Sequence, residues 1–482
     1  VSEEDIFLNG INALTGEYLA PPLSVAEAAQ KAQRNSPATG LSGWLRGFVK
    51  RITGGRLFGL PSDVDARDLS QSGWGVVLAK GLPESVRDGL KPLIEHRTRQ
   101  VGPLFKELEY RPGESREQWL NRHGANGSDV EPTRVPYYLL LVGHPSEIPF
   151  EFQYELDVDY AVGRIAFDNP EDYAKYARAI VEYEGGETVP AEREVVYWAT
   201  RHPADQATQM SSDFLIKPLS EGEPAAAGLP AREPPASRYG YASRTFHGAQ
   251  ATKAALADIF RGGSRPSFLM TASHGMGGWT ADDPRIVRAQ GALLCQDWAG
   301  FGKVGPEHYL TADEIDPTVD FRGMIAFLFA CYGAGTPQYD NYLESTQAGP
   351  KLIAPRQFVS ALAQRLLAQG ALAVFGHIER AWGYSIRPPK VGTQLLPFRN
   401  LISRVLSGEP IGHSTLDFSQ RYATASVGLA NLLDPRQPGV KQAGDSSLVR
   451  MWITCNDAQN YVVLGDPAAR LREKHVTSPP AC

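Results

Sequence analysis

Residues 267–278, "SFLMTASHGMGG", run apolar for several positions and then meet a histidine followed by a glycine. Residues 324–335, "MIAFLFACYGAG", repeat the design with Cys331 where the first stretch has His274. A short apolar run without alternation predicts a strand buried on both faces, the kind found in parallel sheets covered by helices. In open α/β sheets, reactive groups gather just beyond the carboxyl ends of such strands, and both residues stand at that end. If the two strands are neighbours, about 4.8 Å apart, the imidazole and the thiol can face each other across one gap. Gly275 and Gly333 keep the backbone bare there, so a substrate carbonyl can approach and N–H groups can point at it. A thiol with an imidazole is the minimum equipment for acyl transfer: thiolate attack, then protonation of the leaving amine. Taken singly, a cysteine after a buried run is ordinarily a small hydrophobe, and a histidine there is ordinarily incidental. The functional reading rests on the two occurring together.

Outward from these strands the pattern alternates. "GWGVVLA" (73–79), "YYLLLVG" (137–143), "EVVYWAT" (194–200) and "ALAVFGH" (371–377) read as further strands. Between them, helical spacing is found over 83–100, 168–184, 205–219 and 356–370. The helix at 168–184 has Asn169 as N-cap, Pro170 at its first position and acidic residues in its first turn. Residues 116–133 are polar and rich in turn formers, and are expected to form a loop. The Pro- and Ala-rich stretch 220–240 is expected to be an exposed loop or linker. Strands alternating with helices predict a three-layer α/β/α sandwich with a mostly parallel central sheet. The expected division is a partly α/β region over 1–135 without an assigned role, the remainder of an N-terminal α/β subdomain over 136–190, and a catalytic domain over 191–482.

The bulk properties narrow the function. A chain of 482 residues, 42% hydrophobic and 21% charged, has the composition of a soluble globular protein. A formal net charge of −6 argues against generic nucleic-acid binding. The basic run "WLRGFVKRITGGR" (44–56) reads as a solvated helix face. Four cysteines in this length do not form a disulfide framework, which favours a reducing compartment. The start, Val1 followed by acidic residues, lacks a signal-peptide pattern, and no apolar run approaches the roughly 20 residues of a membrane span. The expectation is a cytoplasmic protein without membrane partners.

The residues also carry a resemblance. "SFLMTASHGMGGW" followed by "AFLFACYGAG" resembles the His-Gly and Ala-Cys blocks of caspase-like cysteine peptidases, and within that clan the chain is most similar to the gingipain group. The likeness continues through "YYLLLVGHPSEIP", "YAVGRIAFDNPEDYAKYARAIVEYE", "GALAVFGHIERAWGY" and "YVVLGDPAARLR", in that order over residues 137–472. It implies Cys331 as nucleophile, His274 as general acid/base, and the N–H groups of Gly275 and Cys331 as oxyanion hole. It implies a glutamate before the first strand of the catalytic block to orient the histidine, for which Glu192 and Glu194 are the candidates. It also implies a charged residue after that strand to select the side chain preceding the cut. Asp205 would suit a basic one by charge complementarity and is favoured; Arg201 would suit an acidic one. By itself, Asp205 is also explained as an acid at a helix start. Trp382 falls where the group places a pocket-wall aromatic. The expected activity is a cysteine endopeptidase acting on protein or peptide substrates. A bacterial signalling or defence setting, with an activating protease or regulatory protein, is what the fold type implies.

Other patterns lead nowhere specific. "HPAD", "HSTLD" and "GHIER" place histidines near carboxylates without zinc-ligand spacing, and "DVDARD" lacks the glycine and glutamate of a calcium loop. There is no phosphate loop and no Ser-nucleophile elbow, so no metal or cofactor is expected, a surface calcium being left open. The loop over 335–355 follows the cysteine and, with 220–240, is a candidate for zymogen processing. Two rival readings stand: a catalytically silent caspase-like binding module, and a cysteine amidase or transpeptidase.

Overall fold

The computed structural model describes residues 6–34, 59–125, 130–186, 191–225, 230–340, 345–346, 349–387, 392–433 and 445–472. The basic run at 44–56 and Cys482 lie outside them.

Ten strands form one sheet: β1 (Trp74–Ala79), β2 (Phe105–Tyr110), β3 (Tyr138–Val142), β4 (Ala161–Ile165), β5 (Glu192–Ala199), β6 (Ala242–His247), β7 (Pro266–Ala272), β8 (Ile325–Phe329), β9 (Ala373–His377) and β10 (Tyr461–Gly465). Their spatial order is β2-β1-β3-β4-β10-β9-β8-β7-β5-β6. Every neighbouring pair is parallel except β9 and β10, which pair antiparallel from Ala373 opposite Gly465 to His377 opposite Tyr461. The sheet is thus two five-stranded parallel blocks pointing opposite ways, joined by one antiparallel seam. It runs unbroken across residue 190, and β10, from far along the chain, sits between β4 and β9. All residues of β3, β7, β8 and β9 are buried. That burial is why these stretches read as continuous apolar runs: helices cover both faces, giving the α/β/α sandwich.

Helix α1 (Glu84–Val101) is followed by α2 (Arg116–Arg122), which lies within the segment expected to be a loop. The polar composition hid a start signal. Ser115 accepts from the Gln118 N–H while the Gln118 side chain reaches back to the Ser115 N–H, and Trp119 and Leu120 supply a small apolar face. Helix α3 (Pro170–Gly185) begins as expected behind Asn169 and buries Tyr173, Tyr176, Ile180 and Tyr183. Helices α1 and α3 are clamped to the end of β10 by Arg97, which is buried and paired with Glu184 at 2.6 Å and Asp466 at 2.7 Å. Helix α4 (Gln206–Ser211) follows β5, and α5 (Ala361–Ala368) precedes β9. Helix α5 is shorter than the 356–370 expected, because Ser360 caps it and Phe358–Val359 pair instead with Gly335–Thr336. Among the described residues no helix is long and apolar enough to cross a membrane.

Candidate active site

The site lies where β5, β7, β8 and β9 release their chains at one edge of the sheet. Ala272 of β7 stands opposite Phe329 of β8, so His274 and Cys331 each follow two residues beyond a matched pair. The two loops touch. A Cβ on Gly275 would lie 1.8 Å from the Cys331 carbonyl oxygen, so this approach requires a glycine. Directly after the cysteine, Tyr332 has φ 59°, the one non-glycine residue with positive φ among those described. A left-handed conformation in such a residue costs roughly 1–2 kcal/mol. It lets the chain turn sharply at the strand end, with the Tyr332 N–H donating to the Glu379 carbonyl at 3.1 Å.

His274 is fully buried and held on both nitrogens. Its Nε2 lies 2.6 Å from Asp205 Oδ2, and its Nδ1 accepts from the Gly10 N–H at 2.7 Å. These partners define the tautomer: Nδ1 is bare and the proton sits on Nε2. Asp205 caps α4 through the Ala207 N–H and also accepts from the hydroxyls of Thr208 and Tyr18. Burial opposes ionisation of Asp205, but the adjoining His274 imidazole and hydrogen bonds from His274, Thr208 and Tyr18 outweigh it and hold the carboxyl well below the usual range. Burial, reinforced by the Asp205 charge, pushes the Tyr18 phenol well above its ordinary value.

Cys331 is fully buried. Its Sγ donates to the Asn9 carbonyl at 2.7 Å and accepts from the Ala381 N–H at 3.1 Å. Burial drives the thiol well above its ordinary range, against smaller opposing effects from the Ala381 N–H and Arg380. Behind it, Arg380 is buried between Glu379 at 3.0 Å and Asp340 at 2.7 Å.

The residues engaging both groups come from a segment for which the sequence supplied no role. Residues 6–18 enter the cleft as a strap. Leu8 bridges Trp382 in antiparallel fashion, and the Asn9 N–H donates to the Ala381 carbonyl at 2.9 Å. Ile11–Asn12 then pair in parallel with Met276–Gly277. The chain folds back in a hairpin, with the Leu19 N–H donating to the Gly10 carbonyl at 3.0 Å, which carries Tyr18 to Asp205. No local pattern in "IFLNGIN" announces this placement.

The remaining expected site residues fall as follows. Glu192 and Glu194 sit at the start of β5, while His274 follows the end of its parallel neighbour β7. At about 3.3 Å per residue, strand geometry puts them some 20 Å from the imidazole. Glu194 is occupied by Arg244 at 2.8 Å and Ser264 at 2.9 Å. Asp205, rather than Glu192 or Glu194, is the carboxylate in contact with the His274 imidazole, and it is buried with both of its oxygens accepting hydrogen bonds. Arg201 is paired with Asp213 at 2.9 Å. Trp382 is buried at the cleft edge, where it packs on Trp452 with ring centroids 5.5 Å apart and shares a core cluster with Ile6 and Leu8. The N–H groups of Gly275 and Cys331 make no hydrogen bond among the described residues. Among those residues, too, no group of three potential metal ligands converges.

No protein-family model matches the sequence, and no curated protein matches it significantly. Among solved structures, the chain is similar to one described as a protease, with 12% identity, 83% of this chain and 79% of that chain covered, and a TM-score of 0.46. It is also similar to a chain of the Saccharomyces cerevisiae separase–securin complex, with 12% identity, 69% of this chain covered against 15% of that one, and a TM-score of 0.30.

Proposed function

We propose that this protein is a cysteine endopeptidase of the caspase/gingipain type. Cys331 is the nucleophile, His274 the general acid/base, and Asp205 the positioning carboxylate. The observation that carries the reading is the orientation of the imidazole. Asp205 holds Nε2, so that Nδ1 is turned toward the Asn9–Gly10 peptide unit, which spans from it to the Cys331 sulfur. That arrangement supplies a nucleophile at a carbonyl and a proton carrier at the leaving nitrogen. The N–H groups of Gly275 and Cys331 are the candidates to receive the oxyanion. Because residues 9 and 10 engage both thiol and imidazole, activity requires the strap to be processed or displaced, by the chain itself or by a partner.

The test frees the cleft without touching the catalytic groups. Leu8 is 2% exposed, and Leu8→Asp places a charge where the strap packs against Trp382. The Leu8→Asp protein should hydrolyse members of a fluorogenic peptide library and react at Cys331 with a peptidyl acyloxymethyl ketone. Adding Cys331→Ala should abolish turnover, and adding His274→Ala should lower kcat/KM by about 10²–10⁴. Turnover that survives Cys331→Ala would sink the reading, as would a Leu8→Asp protein that neither turns over peptides nor takes the probe.

A further inference from the structure

We propose that the strap is the protein's own first substrate: Cys331 cuts the Asn9–Gly10 bond, in a cleft whose subsite before the cut takes a small uncharged side chain. The inference rests on the peptidase reading above and adds to it a cleavage site and a substrate class.

Four observations converge on this bond. First, its two ends meet the two reactive groups, the Asn9 carbonyl oxygen 2.7 Å from Sγ and the Gly10 nitrogen 2.7 Å from His274 Nδ1. Second, the chain on either side is held by backbone pairing as a bound peptide is held. Asn9 bonds to Ala381 before the bond, and after it the Ile11 N–H donates to Gly275 at 3.3 Å and the Ala13 N–H to Gly277 at 2.9 Å. Third, Gly10 has φ 110°, and a Cβ there would lie 2.7 Å from Leu19 Cδ1 and 3.2 Å from Sγ. A glycine is what lets the peptide descend onto the sulfur. Fourth, the Asn9 side chain is 2% exposed, yet neither its oxygen nor its nitrogen has a hydrogen-bond partner among the described residues. A buried, uncompensated amide is a net cost to the fold, so Asn9 is not there for stability. It fills a subsite that offers its side chain no hydrogen-bond or ionic partner among the described residues, so a charged side chain there would be buried unpaired.

The chemistry balances with water as the co-reactant. The Asn9 carbonyl leaves the thiol hydrogen for the N–H groups of Gly275 and Cys331, and the thiol proton passes to His274 Nδ1. Sulfur bonds to the carbonyl carbon, the C–N bond breaks, and Nδ1 delivers the proton to the Gly10 nitrogen, which leaves as an amine. Water then adds to the thioester with His274 accepting its proton. The C–S bond breaks, Asn9 leaves as a carboxylic acid, and the thiol is restored. One peptide bond is hydrolysed and nothing is oxidised or reduced.

The experiment incubates the full chain and its Cys331→Ala variant side by side, with intact mass and N-terminal sequencing as readouts. Wild type should acquire a new N-terminus at Gly10 while Cys331→Ala stays whole. The variant also controls for the spontaneous chemistry of Asn-Gly bonds, since cutting in both proteins would overturn the proposal. Asn9→Arg and Asn9→Glu should slow the cut at least tenfold, and Asn9→Ser should stay within a few-fold of wild type. Equal rates for the charged variants would overturn the assigned subsite. A strap that stays whole in wild type, while Leu8→Asp hydrolyses supplied peptides, would make residues 6–18 a blocking segment rather than a substrate. It would end this proposal and leave the peptidase reading standing. Failure of Leu8→Asp on peptides and probe alike would remove both.

Discussion

Asp205→Asn removes one charge and preserves shape, so its cost can be worked from the contacts. Four donors converge on the two carboxylate oxygens: Tyr18 and the Ala207 N–H on Oδ1, His274 Nε2 and Thr208 on Oδ2. An amide offers one oxygen and an NH2 that must face two of those donors. With the NH2 toward His274, the imidazole has to change tautomer, which sets a proton on Nδ1 against the Gly10 N–H. With the NH2 toward α4, the Ala207 N–H loses its cap. Hydrogen bonds to charged groups contribute about 1.5–3 kcal/mol each. Since the two hydroxyls can turn and accept, we expect a net loss of about 2–4 kcal/mol at pH 7. The pH dependence follows from the depressed carboxyl. A carboxyl with its folded pKa below its unfolded value of about 3.9 contributes stability that is fully present above that value and lost as pH falls toward the folded one. Denaturant unfolding should show a constant gap between wild type and variant from pH 5 to 8 that narrows below about pH 4. In the Leu8→Asp background, kcat should fall by about 10²–10⁴, the range for losing an oriented imidazole. A gap under about 0.5 kcal/mol at pH 7, or one that widens toward pH 3, would refute the reasoning.

Two further predictions use other parts of the molecule. Gly275→Ala sets a Cβ 1.8 Å from backbone that cannot yield; it should cost about 1–3 kcal/mol or more and abolish peptide turnover. Gly185→Ala, where a Cβ meets nothing within 4 Å, is the matched control and should melt within a degree or two of wild type. Burial pushes Glu155 up to about 7, against the lowering effect of Arg116. A carboxyl that keeps its proton longer in the folded state makes stability fall as pH rises from about 4.3 toward 7. Glu155→Gln should flatten that slope in denaturant titrations, and an unchanged slope would count against the assignment.

The inner strands β1, β3, β7, β8 and β9 were legible because burial on both faces leaves an apolar run, and the His-Gly and Cys-Tyr-Gly ends marked where chain leaves sheet; the partly exposed edge strands β2 and β6 were not. Helix α3 was legible from its cap, its proline and its tyrosine spacing. Helix α2 was not, because a seven-residue helix with two buried apolar residues looks polar until the Ser115–Gln118 box is noticed. What the sequence could not supply was which carboxylate reaches His274. Glu194 and Asp205 flank the same strand, and only the parallel pairing of β5 with β7 places one at the far edge and the other beside the imidazole. The strap was hidden for a related reason. Its contacts with Cys331 span more than 300 residues, and a run of mixed small and apolar residues says nothing of a partner so distant.

The antiparallel seam has a consequence for how the molecule comes into being. β4 and β9 do not touch as neighbours; β10 stands between them and hydrogen-bonds to both. On a ribosome, the two parallel blocks therefore emerge with facing open edges and cannot join until residues 461–465 have been made. Pairings of such sequence separation form slowly and leave unpaired edges exposed meanwhile. A nascent chain halted before that point carries both His274 and Cys331 but lacks the strand that locks β9, and with it the Ala381 loop, against the rest of the sheet. The strap, by contrast, precedes all ten strands of the sheet in the chain and is already made when the residues that close around it emerge.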